Sequence, residues 1–170
     1  MIEEILVPEE RLAVIIGNKG QTKKRIEEKT KTRLSVSSGI IVSGDTEGVL
    51  VASEIVRAIS RGFTPREAFS LLNDDTQLQT ISLWKETEAT RQRLFARVIG
   101  RSGKVRQNIE RYTRTTICVY GKTVSVIGRF DTMRIAVEAI KMILNGRSIV
   151  VVYNFIEKQM REQNPLLPDE

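Results

Sequence analysis

The chain repeats itself. Laying the first half over the second places Gly17 on Gly100, Gly20 on Gly103, Ile26 on Ile109, Leu34 on Ile117 and Val36 on Val119. One extra residue in the second copy then advances the register. Gly44 falls on Gly128, Ala52 on Ala136, Ile59 on Ile143 and Gly62 on Gly146. Glycines and apolar positions recurring in the same order mark an internal duplication. Each copy of about 85 residues must therefore close its own small core, to which packing between the copies would add.

Both copies read alike. Glu3 to Val7 is expected as a strand closed by Pro8, followed by helices over Glu9–Ile16 and Gln21–Thr30. Strands Arg33–Ser37 and Ile40–Ser43 turn at Ser38-Gly39. Asp45 is a candidate N-cap for a helix whose apolar stripe is Val49, Ala52, Ile55, Val56 and Ile59. Thr64-Pro65-Arg66-Glu67 combines an N-cap, a proline at the first helical position and a capping-box glutamate, so a further helix is predicted over 65–72. In the second copy the matching elements are strand Gln77–Leu83, helix Glu88–Ile99, strands Thr116–Val119 and Thr123–Ile127, and a helix from Asp131 to Leu144 with Phe130 as a hydrophobic staple on Ile135. Ile149-Val150-Val151-Val152 favours strand locally, but the repeat and the charged stretch that follows favour helix, predicted over about 148–163. Asn164 to Glu170 is expected as a frayed tail. The domains are then 1–75 and 76–170, and the fold class is α+β.

Two glycines bracketing two polar residues stand between the paired helices of each copy, as Gly17-Asn18-Lys19-Gly20 and Gly100-Arg101-Ser102-Gly103. Such a backbone can approach something closely, because glycine has no Cβ and tolerates positive φ. Charge says what that something is. Residues 11–33 hold eight basic and two acidic side chains and residues 91–114 eight basic and one acidic, in a chain of net charge +6, so the remainder is net acidic. Charge concentrated at two loops is the footprint of a polyanion, and free N–H groups at a helix start suit phosphate oxygens.

In each copy the glycine loop follows an apolar pair, Ile15-Ile16 or Val98-Ile99, and an isoleucine stands six residues after its second glycine. With the order β-α-α-β-β-α this resembles the KH domain of type I, in two copies each carrying an extra helix. The resemblance implies a grip on about four single-stranded nucleotides. Asn18, Lys19, Arg101 and Ser102 are then expected to meet the RNA backbone. Bases would lie over Ile16, Ile26, Leu34 and Val36 in one copy, and over Ile99, Ile109, Ile117 and Val119 in the other, residues that also serve as core. The third residue after the second glycine, commonly isoleucine or valine in that family, is Lys23 or Arg106 here. It reads either as a solvated helix face or as an added RNA contact. Lys24, Arg97 and Lys104 complete the candidate electrostatic contacts, while Arg111 and Arg114 read as ordinary surface charges.

Two KH-like units joined almost without linker, Gly62-Phe63 and Pro65 ahead of an Ala68, Leu71, Leu72 helix, and the run RVIGRSGKVRQNIERYT together resemble the archaeal tandem-KH pre-rRNA-processing proteins. These are related to the small-subunit assembly factor that partners the Nob endonuclease. The resemblance implies binding near the 3′ end of small-subunit rRNA, and partnership with that endonuclease and with the α subunit of initiation factor two. It also makes the second copy the main RNA reader, while the first, which keeps Gly17 and Gly20, stays open as an RNA-binding or a protein-contact surface.

An enzyme is disfavoured. There is no histidine, one cysteine and no carboxylate cluster beyond pairs such as Glu27-Glu28 and Asp74-Asp75, so neither a metal site nor any cofactor is expected. Cys118 lies in a β-branched run and has no internal disulfide partner, the N-terminus is acidic, and no apolar run approaches a bilayer's thickness. A cytoplasmic protein without membrane contact is expected. Two other readings stay open: a KH-type regulator binding messenger RNA or single-stranded DNA, and a protein-interaction scaffold.

Overall fold

In the computed structural model, which describes residues 1–164, the duplication appears as two units divided between Asp74 and Asp75. The first runs β1 (Ile2–Ile5), α1 (Glu9–Ile16), α2 (Gln21–Thr30), β2 (Arg33–Val36), β3 (Ile40–Ser43), α3 (Thr46–Ser60) and α4 (Pro65–Ala68). The second runs β4 (Thr76–Ser82), α5 (Glu88–Ile99), α6 (Lys104–Thr113), β5 (Thr116–Tyr120), β6 (Thr123–Arg129), α7 (Phe130–Leu144) and α8 (Ile149–Gln163). Each sheet is antiparallel with its last strand in the middle, in the orders β1-β3-β2 and β4-β6-β5. The first helix pair and the long third helix pack together on one face of it. This is the α+β, β-α-α-β-β-α architecture expected, twice.

The cores follow from the side-chain periods. Ile40 and Val42 of β3 are fully buried while Ile41 and Ser43, which alternate with them, are not. All five stripe residues of α3 are fully buried, and Asp45 caps that helix by accepting the Gly48 N–H at 2.8 Å. In the second unit Val98, Ile109, Ile117, Val124, Val126 and the inner face of α7 form one cluster, to which α8 adds Val152 and Ile156. The extra helical segments hold the second helix of each pair. The Arg25 guanidinium lies 4.6 Å from the Phe69 ring centroid, and Asn108 Nδ2 donates to the Tyr153 hydroxyl at 3.1 Å.

Several boundaries differ from the sequence reading. β1 ends at Ile5, the last residue with a partner on β3, so Leu6 is outside the strand and exposed. The segment 65–72 starts with the expected Thr64–Glu67 capping box but tightens into 3-10 geometry over Phe69–Leu72. α7 begins one residue early, with Arg129 at the N-cap position, so Phe130 is helical and 61% exposed rather than stapled before a cap. The segment after Ser148 is helical despite its valines. Of the predicted tail only Asn164 lies within the described residues. Among those residues, no helix is long and apolar enough to cross a membrane.

Candidate nucleic-acid interface

The loop between the paired helices has one backbone in both copies. Gly17, Lys19 and Gly20 take φ/ψ of 75°/177°, 53°/31° and 73°/13°, and Gly100, Ser102 and Gly103 take 74°/174°, 53°/27° and 74°/10°. The two glycines of each loop have different roles. The first occupies a region that glycine alone adopts, and a Cβ there would stand 2.3 Å from Thr22 Oγ1 or from Val105 Cγ2. It lets the loop close onto the first turn of the next helix. The second is left-handed and faces open space. A Cβ at Gly20 would meet nothing within 4 Å, and one at Gly103 only Gln107, at 3.6 Å.

That open position lies at a helix start of unusual composition. Asp45, Thr64, Thr87 and Ser148 each cap a helix with a side-chain oxygen, whereas α2 and α6 begin at Gly20 and Gly103 without one. Neither has an acidic residue in its first turn; Lys23 and Lys24, or Lys104 and Arg106, stand there instead. The first N–H groups of a helix lack intrahelical partners and carry partial positive charge. Adding cations to that end is unfavourable for the isolated helix and favourable for an anion bound against it. The arrangement suits phosphate.

The structure sorts the predicted contacts. Asn18, Lys19, Arg101, Ser102 and Lys104 are exposed around the loops, and among the described residues none of these cations is in an ion pair. Lys23 and Arg106 are half-buried and pair one turn along with Glu27 and Glu110, at 3.2 and 3.3 Å, while the exposed Lys24 approaches Glu28 at 4.0 Å. Lys23 and Arg106 thus replace the family's aliphatic residue with an intrahelical ion pair. Arg97 is directed inward, its guanidinium donating to the carbonyls of Ile143 and Arg147 at 2.6 and 2.8 Å. Of the apolar candidates, Ile26, Leu34, Ile109 and Ile117 are wholly core. Ile16, Ile99 and Val119 are half-buried and Val36 is 47% exposed, so these four can present an apolar surface to a base.

Two features of the site escaped the sequence reading. Thr22 and Val105 sit directly beneath the first glycine of each loop. The second helix of each pair also ends in a repeated hydroxyl lock. Thr30 and Thr113 donate to the carbonyls four residues back, at 2.7 and 2.6 Å, and bond Thr32 and Thr115 at 2.7 and 2.8 Å. The left-handed Lys31 and Arg114 lie between the threonines. The recurrent Thr-basic-Thr was the available sign of it.

A family model described as a eukaryotic type KH-domain (KH-domain type I) matches residues 75–161, and one described as a KH domain matches residues 2–58. The chain belongs to the KH-domain family. Relatives match it along nearly its whole length. The KH domain-containing protein MJ0443 of Methanocaldococcus jannaschii is 36% identical over 170 residues, 95% of this chain and 75% of that one. Dim2p of Pyrococcus horikoshii is similar in structure at a TM-score of 0.85 with 39% identity, over 93% of this chain and 99% of that one. A structure described as the a/eIF2alpha-aDim2p-rRNA complex from the same organism matches at a TM-score of 0.88 and 38% identity, with 95% of each chain covered. A pre-rRNA-processing protein, pno1 of Aspergillus fumigatus, is 29% identical over 67% of this chain and 47% of its own length.

Proposed function

We propose that this tandem KH protein binds single-stranded RNA in small-subunit rRNA maturation and has no catalytic activity of its own. The observation that carries the reading is the start of α6. It has no side-chain cap and no acid in its first turn, lies beside the open Gly103, and has at its edge the cations Arg101 and Lys104, which form no ion pair among the described residues. Phosphates of the strand would seat on the loop backbone and first turn of α6, with Arg101, Ser102 and Lys104 around them. Bases would face Ile99 and Val119, with Arg106 in reach at the groove edge. In the first KH domain, Gly17 to Gly20, Ile16, Lys23 and Lys24 would form a second, weaker site. Relatives named for pre-rRNA processing and for a complex with rRNA and a/eIF2alpha support this reading. Our reading extends to the 3′ region of small-subunit rRNA, in the cytoplasm, with the α subunit of initiation factor two and a Nob-type endonuclease as partners.

The test is Arg101→Asp with Ser102→Asp. Aspartate tolerates the left-handed backbone at Ser102, so the fold should survive while two carboxylates face the phosphates. Near-complete loss of binding to a 3′ fragment of small-subunit rRNA is expected; unchanged affinity in the folded double variant would overturn the assignment. Cross-linking in cells should pile up reads at that 3′ end, whereas reads scattered over messenger RNAs would favour a regulator.

A further inference from the structure

Trp84 is the chain's single tryptophan, and it is 64% exposed. The Lys85 ammonium lies 5.6 Å from its ring centroid. The loop carrying it is well anchored. Leu83 N–H donates to the Lys122 carbonyl at 2.8 Å, Glu86 N–H returns to Leu83, Arg91 donates to the Glu86 carbonyl, and Thr87 caps α5. The first bond fixes the loop against the hairpin turn between β5 and β6, where Lys122 is exposed. The corresponding loop of the first unit, Leu6-Val7-Pro8, has no aromatic residue. A large flat π-surface is thus held in water on a rigid loop, with Lys85 against it and Lys122 beside the turn.

We infer that Trp84 is a stacking platform for a nucleobase of the RNA strand that the second KH domain holds, beyond the four nucleotides of its groove. The inference rests on the proposed RNA-binding function. Stacking on an aromatic face is tolerant of base identity, and nearby ammonium groups suit the phosphates on either side. Helix α5 stands between this loop and Gly100, and its 12 residues span about 18 Å. Four nucleotides at the stacked spacing of 3.4 Å cover only about 14 Å. A longer strand is needed to engage both places.

The single tryptophan makes this measurable in the intact chain. The probes are a ten-nucleotide RNA from the 3′ end of small-subunit rRNA and its four-nucleotide fragments. Tryptophan fluorescence should be quenched by the ten-mer and not by the tetramers. Trp84→Ala should weaken ten-mer binding about tenfold, the effect of losing one stacked base, and leave tetramer binding unchanged. Trp84→Phe should recover most of the loss. Full ten-mer affinity in Trp84→Ala would overturn the platform and assign the exposed ring to a protein partner, while the Arg101, Ser102 double variant would still report RNA binding. Equal losses for tetramer and ten-mer would also overturn it, by placing Trp84 within the groove. If the unaltered protein binds neither RNA, the function and the platform fall together.

Discussion

The Arg97 guanidinium donates to the Ile143 carbonyl at 2.6 Å and closes the last turn of α7, with a second bond to Arg147. The first unit solves the same problem from a different position. Arg11 donates to Ile59 and Phe63, the counterparts of Ile143 and Arg147, at 2.8 and 2.7 Å. In the aligned copies Arg11 falls on Leu94, one helical turn before Arg97. Positions three apart share a helix face, so the arginine can move a turn and still reach the same carbonyls. The duplicated unit has retained the bond and not the residue.

Arg97→Met should therefore act on stability. Two bonds from a charged donor are lost, and a cost of about 2 kcal/mol to the second unit is expected. Urea unfolding followed by circular dichroism measures it. RNA affinity of the folded variant should change by less than about twofold, because no phosphate contact is removed. A large affinity loss at unchanged stability would return Arg97 to the interface.

The glycines of the second loop should separate by function. Gly100→Ala must strain the backbone and drive a Cβ into Val105, at a cost of about 3 kcal/mol or more. Gly103→Ala meets open space and pays only for its left-handed backbone, about 1–2 kcal/mol. It should nonetheless weaken RNA binding in the folded protein, since its methyl group occupies the approach to α6. Thermal melts and filter binding on the same pair of variants distinguish the two effects.

Affinity for single-stranded RNA should fall with salt, with a log–log slope of about 0.7 for each phosphate contacted. Lys104→Gln should reduce that slope by about one contact's worth, because Lys104 is exposed and has no ion pair among the described residues. Arg106→Gln should change it less, since Glu110 already offsets that charge. Titrations at several potassium concentrations are the measurement. A flat salt response would point to a protein partner instead.

Asn18→Asp with Lys19→Asp probes the first loop. It should weaken binding of a long RNA by several-fold at most, well short of the matching change at Arg101 and Ser102. Both lysines in the first turn of α2 have glutamate neighbours, whereas Lys104 in α6 has none. Loss of all binding in the first-loop variant would invert the proposed ranking of the two domains.

Where the chain repeats, the fold was legible. The valines after Ser148 show how much the repeat contributed. Their local preference is strand, yet the segment is helical because Val152 and Ile156, one turn apart, enter the core while Val150 and Val151 face water. Phe130 misled because Asp131 looks like a cap; its carboxylate accepts the N–H of adjacent Thr132, and the helix has already begun. At the site, glycine spacing and charge were readable, but the direction of a long side chain was not. Nothing in the spacing distinguishes the inward Arg97 from the outward Arg101. Nor do Asn-Lys and Arg-Ser reveal that their second member is left-handed, which follows from closure of the loop onto Thr22 or Val105.

The start of α6, with no side-chain cap and with Lys104 in its first turn, leaves the free protein with a local frustration that a docked phosphate would relieve. The opening turn should exchange its amide hydrogens readily in the absence of RNA and become protected when a phosphate docks. The energy that would otherwise hold this turn in place is deferred to the moment of binding. Part of the affinity for RNA would then be the completion of a helix.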